Sequence, residues 1–309
     1  MNTDGYYDYT DNPLFKYFKE NKGLLIHKNY EYFKYYHKHF QPYQGQEITL
    51  LEIGVQNGGG LFMWRNYFGS KAKIIGVDIE PKSKVLEKFG FSIRIGDQAD
   101  AAFWKSFTEE FNDIDIIIDD GGHYMDQQII SFQSLFPALN DNGLYLCEDT
   151  WTSYWDGLGV KGGIDRPGTF ISFVKELVDD IHSTSTHVWG KVEDNNFAKV
   201  YGSEEYRKEP NYYTKSISEI SISYSMVFIT KVIKERYIPD DIEKYSTSYA
   251  DVNLYDALYF NAHSGSKYLP HLDQGIGEQL SDTDNLLDMV SDKTEIDAIN
   301  SLHDINTEL

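Results

Sequence analysis

Carboxylates and one histidine follow two apolar segments of the sequence, at the point where each segment gives way to polar residues. The first segment runs into Asp119, Asp120 and His123, and the second runs into Glu148 and Asp149. Continuous apolar runs of this kind are typical of buried strands in a parallel sheet. Because open α/β sheets bind ligands at the carboxyl ends of their strands, we expect these side chains to converge. The pattern predicts a site for a divalent cation and a general base.

The ligand types favour a hard cation at this site. Carboxylate oxygens suit Mg²⁺ better than Zn²⁺, which prefers histidine and cysteine. Clustered carboxylates without a cation would repel one another and raise their pKa values, which favours metal occupancy. Glu148 and Asp149 are adjacent, so both reach one ion only if the chain leaves the strand there. The alternative for Asp149 is a helix cap.

A second constellation, on earlier segments, predicts a nucleoside pocket. A glycine-rich turn follows residues 48–53 and lets backbone approach a ligand closely, although its spacing is not that of the dinucleotide-binding motif. Asp78 ends the next segment, where a carboxylate can accept hydrogen bonds from ribose hydroxyls. An acid and an amide end the third segment, within reach of an adenine edge. The candidate cofactor residues are Glu52, Gly54, Gly58, Asp78, Asp97 and Gln98.

Aromatic residues follow the predicted metal ligands directly. Trp151, Tyr154 and Trp155 are candidates for stacking on an acceptor sugar, and packing of their own loop is the alternative. Nearer the N-terminus, His27 and Tyr30 are candidates for a lid over the cofactor, with a structural role as the favoured interpretation.

The elements that must position these residues alternate between strand-like and helix-like segments from residue 48 to residue 182. This alternation predicts βαβ units, a parallel sheet and right-handed crossovers. Two β-rich runs at 217–224 and 226–232 nearly touch and predict a hairpin at one edge. We therefore expect an α/β fold with a doubly wound, mostly parallel seven-stranded sheet of Rossmann-like type and an antiparallel C-terminal hairpin.

Three parts are expected along the chain. Residues 1–46 form a helical segment or lid, residues 47–238 the catalytic domain, and residues 239–309 an acidic extension. Residues 184–215 are polar and predict an extended loop. The stretch 273–309 holds ten acids against one lysine, which is typical of a solvated tail.

Composition excludes several classes of protein. The 309 residues include 28 basic and 49 acidic side chains, and a net charge of −21 argues against nucleic-acid binding. The single cysteine, Cys147, excludes an intrachain disulfide framework, suits a reducing compartment, and predicts a cytoplasmic protein. The N-terminus lacks the features of a signal peptide, and no apolar run approaches the ~20 residues of a membrane span.

Five motifs together carry a resemblance to a known family. They are Leu51-Glu-Ile-Gly-Val with Gly58-Gly59, Ile75-Gly-Val-Asp78, Gly96-Asp-Gln98, Ile118-Asp-Asp-Gly-Gly-His123 and Glu148-Asp149. Over roughly residues 47–232 the sequence resembles class I S-adenosylmethionine-dependent methyltransferases. More narrowly, it is similar to the macrocin and mycinamicin sugar O-methyltransferases of macrolide biosynthesis.

The resemblance implies an S-adenosyl-L-methionine- and divalent-metal-dependent O-methyltransferase acting on a sugar hydroxyl of a natural product or glycan. Asp120, Glu148 and Asp149 would hold Mg²⁺ or another hard cation, and His123 would be the general base. The assignment is chemically sound, because a sugar hydroxyl needs a cation and a base to become a nucleophile at neutral pH. The role of Asp119 stays open.

Two other functions are compatible with the residues. A catechol- or phenol-type O-methyltransferase would apply similar metal chemistry to a more acidic hydroxyl. A catalytically silent subunit would keep only the nucleoside pocket, but the complete set of acids and His123 argues against it. A homo-oligomer is compatible with either.

Overall fold

The computed structural model describes residues 9–183 and 208–232. Seven strands of this part form one sheet in the order β3-β2-β1-β4-β5-β7-β6. They are β1 (Thr49–Ile53), β2 (Lys73–Asp78), β3 (Ser92–Ile95), β4 (Ile114–Asp119), β5 (Leu139–Cys147), β6 (Ile217–Ser223) and β7 (Met226–Lys231). The first five are parallel, and β7 lies antiparallel between β5 and β6. The predicted sheet, including its antiparallel hairpin, is confirmed.

Helices cover both faces of the sheet. The described α-helices are α1 (Pro13–Glu20), α2 (Tyr32–Phe40), α3 (Gly59–Phe68), α4 (Ala101–Glu110), α5 (Met125–Leu135), α6 (Phe170–Ile181) and α7 (Tyr212–Ser216). Several begin at a side-chain cap, as local sequence favours: Asp100 accepts from the Ala102 amide and Thr169 from the Ser172 amide.

Successive strand residues face two separate apolar layers. Leu50 and Ile118 lie in one layer with the buried side chains of α1–α3. Leu51 and Ile117 lie in the other with those of α4–α6. Strands buried on both faces need continuous apolar runs, which is why their sequences do not alternate.

Some elements depart from their predicted extents. α5 ends at Leu135 because Pro137 cannot continue an α-helix, and a 3₁₀ turn follows. β5 begins at Leu139, before the apolar residues 144–147, across a register irregularity opposite β4. A 3₁₀ segment at Pro81–Phe89 was not predicted, and α7 begins within the predicted loop 184–215, of which residues 184–207 lie outside the described part of the chain.

The N-terminal helices belong to the buried layer on one face of the sheet. Phe33, Tyr36 and Phe40 of α2 are fully buried there. Residues 21–31, called here the N-terminal strap, connect α1 to α2 and pass over the start of α3. A Cβ on Gly59 would lie 2.3 Å from the Leu25 carbonyl oxygen, so only glycine permits this approach. The acidic extension predicted for residues 239–309 lies outside the described residues.

Candidate active site

A cavity of about 800 Å³ opens at the carboxyl ends of the central strands. The glycine-rich turn after β1, the ends of β2, β4 and β5, and the N-terminal strap form its walls. Eleven of the thirteen predicted cofactor, cation, base and stacking residues line it: Glu52, Gly54, Asp78, Asp97, Gln98, Asp120, His123, Glu148, Asp149, Trp151 and Trp155. Gly58 and Tyr154 lie outside the lining: a Cβ on Gly58 would meet Leu86, and Tyr154 is half exposed.

Two carboxylates and an imidazole converge at the ends of β4 and β5. Asp120, His123 and Asp149 each offer a ligand atom, and these atoms lie within 4.8 Å of one another. His123 Nε2 is 3.4 Å from Asp149 Oδ2 and 3.9 Å from Asp120 Oδ1. This oxygen-rich donor set fits a hard divalent cation, with the imidazole placed as a further ligand or as a base.

The backbone leaves the strand conformation directly before Glu148 and Asp149, as it must if both acids are to reach one ion. β5 ends at Cys147, and Asp149 adopts φ 53° in the left-handed region. His123 also adopts a left-handed φ, of 60°. Non-glycine residues are held in this region only by surrounding structure, and they concentrate at functional sites. The two acids have different partners, because an Asp149 oxygen lies near His123 while the Glu148 carboxylate accepts from Lys28.

Lys28 of the N-terminal strap occupies the space between the acids. Its Nζ donates to Asp120 Oδ2 at 2.6 Å and to the two Glu148 oxygens at 3.0 and 3.1 Å. Glu52 Oε1 lies 3.6 Å away, and the lysine side chain is only 3% exposed. Burial alone would lower the pKa of Lys28, but the three carboxylates outweigh it and hold the pKa well above its usual range. Lys28 is therefore a buried cation of the site that the sequence analysis missed.

Tyr32, the first residue of α2, was missed as well. Its hydroxyl donates to Asp149 Oδ1 at 2.5 Å. Burial first, and then the bond to Asp149, raise the pKa of Tyr32 above its usual range, which keeps the hydroxyl protonated as a donor. Asp149 thus has one oxygen bound by Tyr32 and the other near His123.

Asp119 lies behind the cavity and holds the turn that carries His123. It accepts hydrogen bonds from Gln98 Nε2 at 2.5 Å and from the Tyr145 hydroxyl at 3.0 Å. Burial raises the pKa of Asp119 to about 7, against the lowering effect of these donors. Gln98 Oε1 in turn accepts from the Gly122 amide at 3.0 Å. Both ends of the Gln98 amide are therefore engaged within the protein, although the residue borders the cavity.

The glycine-rich turn brings the ends of β1 and β4 together. Gly54 has φ 87°, and a Cβ there would lie 2.0 Å from the Asp120 carbonyl oxygen. Asp78 accepts the Gln56 amide at 2.7 Å and the Glu80 amide at 2.8 Å, one on each carboxylate oxygen. The Trp64 indole donates to Glu52 Oε1 at 2.9 Å, whereas buried Glu52 Oε2 has no partner among the described residues. A fixed carboxylate and an unpartnered carboxylate oxygen beside a glycine turn suit a ribose and an amino group.

Aromatic rings form the outer wall of the cavity. Trp151 and Trp155 stack at 6.2 Å with their planes 5° apart, and both border the cavity. Of the three residues predicted to stack on an acceptor, Trp151 and Trp155 are at the cavity and Tyr154 is not. His27 lines the cavity as part of the strap, whereas Tyr30 does not. Among the described helices, none combines the length and the apolar character needed to cross a membrane.

The sheet order, the glycine-rich turn and the acid at the end of β2 define the fold of a class I S-adenosylmethionine-dependent methyltransferase. No protein-family model matches the chain. A solved structure of MycE, a methyltransferase from the mycinamycin biosynthetic pathway, contains Mg, SAH and mycinamycin VI. It matches this chain with a TM-score of 0.55 at 29% identity, covering 72% of this chain and 54% of MycE.

Two curated relatives point to the same family. Demethylmacrocin O-methyltransferase of Streptomyces fradiae is 30% identical over 225 residues, which cover 68% of this chain and 52% of the relative. Mycinamicin VI 2''-O-methyltransferase of Micromonospora griseorubida is 30% identical over 241 residues, which cover 74% and 55%. The chain belongs to this family of macrocin and mycinamicin sugar O-methyltransferases. It spans about half the length of the curated relatives it matches.

Proposed function

We propose that this chain is an S-adenosylmethionine- and divalent-metal-dependent O-methyltransferase that acts on a sugar hydroxyl of a natural product or glycan. The observation that carries the proposal is the convergence of Asp120, His123 and Asp149 beside the pocket formed by Gly54 and Asp78. The relatives are O-methyltransferases of demethylmacrocin and of mycinamicin VI, and a structure of MycE contains Mg and SAH.

The cofactor and the cation have separate places in this proposal. S-Adenosylmethionine supplies an electrophilic methyl group when bound, and Mg²⁺ supplies charge that favours ionisation of the acceptor hydroxyl. Asp78 would bind the ribose, and Glu52 would face the amino group of the methionine portion. Asp120, Glu148 and Asp149 would hold the cation, with Glu148 released from Lys28 for this purpose.

His123 would take the proton from the acceptor hydroxyl. Its Nε2 faces the carboxylate cluster, which is where an acceptor oxygen would be held. A positioned base contributes roughly 10²–10⁴-fold to such a reaction, and fixed geometry contributes much of the rest. Trp151 and Trp155 would pack against the acceptor.

A methyl-transfer assay with labelled S-adenosylmethionine and a panel of deoxysugar glycosides tests the proposal. We expect at least one glycoside to be methylated, EDTA to abolish turnover, and added Mg²⁺ to restore it. Full activity in EDTA would refute the metal requirement. Methylation of catechols with no glycoside accepted would refute the sugar assignment.

A further inference from the structure

We propose that Tyr32 is a positioning residue of the cation site, which holds one oxygen of Asp149 so that the other oxygen faces the ion. The inference rests on the metal requirement proposed above and adds a residue from outside the strand ends. Tyr32 lies 117 residues from Asp149 in sequence, so this contact exists only because α2 packs beside the end of β5.

The two oxygens of Asp149 have different partners. Oδ1 accepts the Tyr32 hydroxyl at 2.5 Å, and Oδ2 lies 3.4 Å from His123 Nε2. A carboxylate with one oxygen fixed in this way has its second oxygen aimed in a defined direction. Groups that hydrogen-bond a metal ligand without contacting the metal typically change the metal affinity by about 10–100-fold.

Asp120 shows the same arrangement independently. Its Oδ2 accepts from Lys28 at 2.6 Å, and its Oδ1 is the oxygen on the His123 side. Asp120 and Asp149 therefore each turn one oxygen toward the N-terminal part of the chain and the other toward His123. Lys28 and Tyr32 are four residues apart, so one short segment fixes both acids.

Tyr32 is itself held in place. The residue is 1% exposed, and its ring packs edge-on against Tyr36 at 6.1 Å and near Trp151 at 6.4 Å. Because these contacts involve only the ring, phenylalanine at this position keeps the packing and removes the hydroxyl, with its bond to Asp149 and its contact with Ser225. The comparison with an Asp149 variant below tests whether the effect of Tyr32→Phe acts through Asp149.

The test measures Mn²⁺ affinity by electron paramagnetic resonance of the full chain without cofactor or substrate. We expect Tyr32→Phe to weaken Mn²⁺ binding by about 10–100-fold, as for other groups that orient metal ligands. Tyr30→Phe is the matched control, since Tyr30 is half exposed and off the cavity. It should bind Mn²⁺ as the wild type does. At saturating Mg²⁺, kcat of Tyr32→Phe should approach the wild-type value, because the lost affinity is then compensated.

A double-mutant cycle tests whether the Tyr32 hydroxyl affects Mn²⁺ affinity through Asp149. In an Asp149→Asn background, Tyr32→Phe should cause no further loss of Mn²⁺ affinity if it acts through Asp149. Wild-type affinity in Tyr32→Phe, with normal Mn²⁺ binding by the wild type, would overturn the positioning role and leave the proposed function intact. Absence of Mn²⁺ binding by the wild type would overturn the metal requirement and the inference with it.

Discussion

The two sides of the candidate site are built in different ways. The sheet side places Asp120, His123 and Asp149 directly at strand ends, where each local sequence moves from an apolar run to polar residues. The N-terminal side contributes Lys28 and Tyr32, which contact those acids across 92 and 117 residues of sequence. The sheet side carries the groups suited to chemistry, and the N-terminal side supplies the groups that orient and neutralise them.

Activity should depend most strongly on the sheet side, which carries the proposed base. His123→Ala should lower kcat by about 10²–10⁴-fold, because the proposed base is lost. S-Adenosylmethionine binding, measured by calorimetry, should be retained. The control is His27→Ala, which removes a histidine of the strap from the same cavity and should change kcat less than threefold. Near-wild-type turnover by His123→Ala would show that another group removes the proton.

Stability without metal should depend on the N-terminal side. Lys28→Met leaves Asp120, Glu148 and Glu52 without their buried cation, and breaking such a pair costs about 3–5 kcal/mol. Chemical denaturation in EDTA measures this loss. Lys34→Met, which removes a lysine paired with exposed Glu31, should cost no more than ~1 kcal/mol. An equally small loss for Lys28→Met would mean that the acids do not need this cation.

The contact between the N-terminal strap and the start of α3 can be tested by adding a single methyl group at Gly59. Gly59→Ala introduces a Cβ 2.3 Å from the Leu25 carbonyl oxygen, so the strap must shift, at a cost of about 1–3 kcal/mol. Hydrogen exchange should show the loss of protection in residues 21–31. At Gly157 a Cβ meets nothing within 4 Å, and Gly157→Ala should leave exchange unchanged. Unchanged protection of the strap in Gly59→Ala would contradict the described packing.

A pH-dependent effect on stability is expected on the sheet side. The pKa of Asp119 is raised to about 7 by burial, so the folded state holds this proton more tightly than the unfolded state. Stability from this group is present below about pH 4 and is lost as the pH rises to about 7. The slope approaches about 1.4 kcal/mol per pH unit. Asp119→Asn should lack this component in denaturation measured from pH 4 to 8, and an identical slope in both proteins would contradict it.

A feature of this molecule can be predicted from the sequence when it depends on residues that are neighbours in the chain. The sheet, its hairpin and the convergence of acids on one edge depend on apolar runs and on the residues directly after them, so they could be predicted. The position of Lys28 depends on packing of the strap over Gly59, and no local pattern marks a lysine as buried. Gln98, a predicted cofactor residue, lines the cavity, and only the fold reveals that its amide is bound by Asp119 and Gly122.

The orientation of the aromatic side chains in residues 151–155 could not be predicted from the sequence either. Trp151, Tyr154 and Trp155 follow the predicted ligands closely, and the sequence does not indicate which of them faces the cavity. The 3₁₀ turn at Thr150–Tyr154 decides this by turning Trp151 and Trp155 inward and Tyr154 outward. The orientation of neighbouring side chains in an irregular turn depends on dihedral angles that residue types alone do not fix.

A measurement of Mg²⁺ binding tests directly whether the acids at the edge of the sheet form a cation site. Isothermal titration calorimetry of the full chain should give one Mg²⁺ site for the wild type and for Asp126→Asn, which changes an exposed acid of α5. Asp120→Asn should weaken binding at least 100-fold, because it removes a ligand carboxylate. Binding by Asp120→Asn equal to that of the wild type, or no binding by the wild type, would contradict the central claim that these strand ends form a cation site.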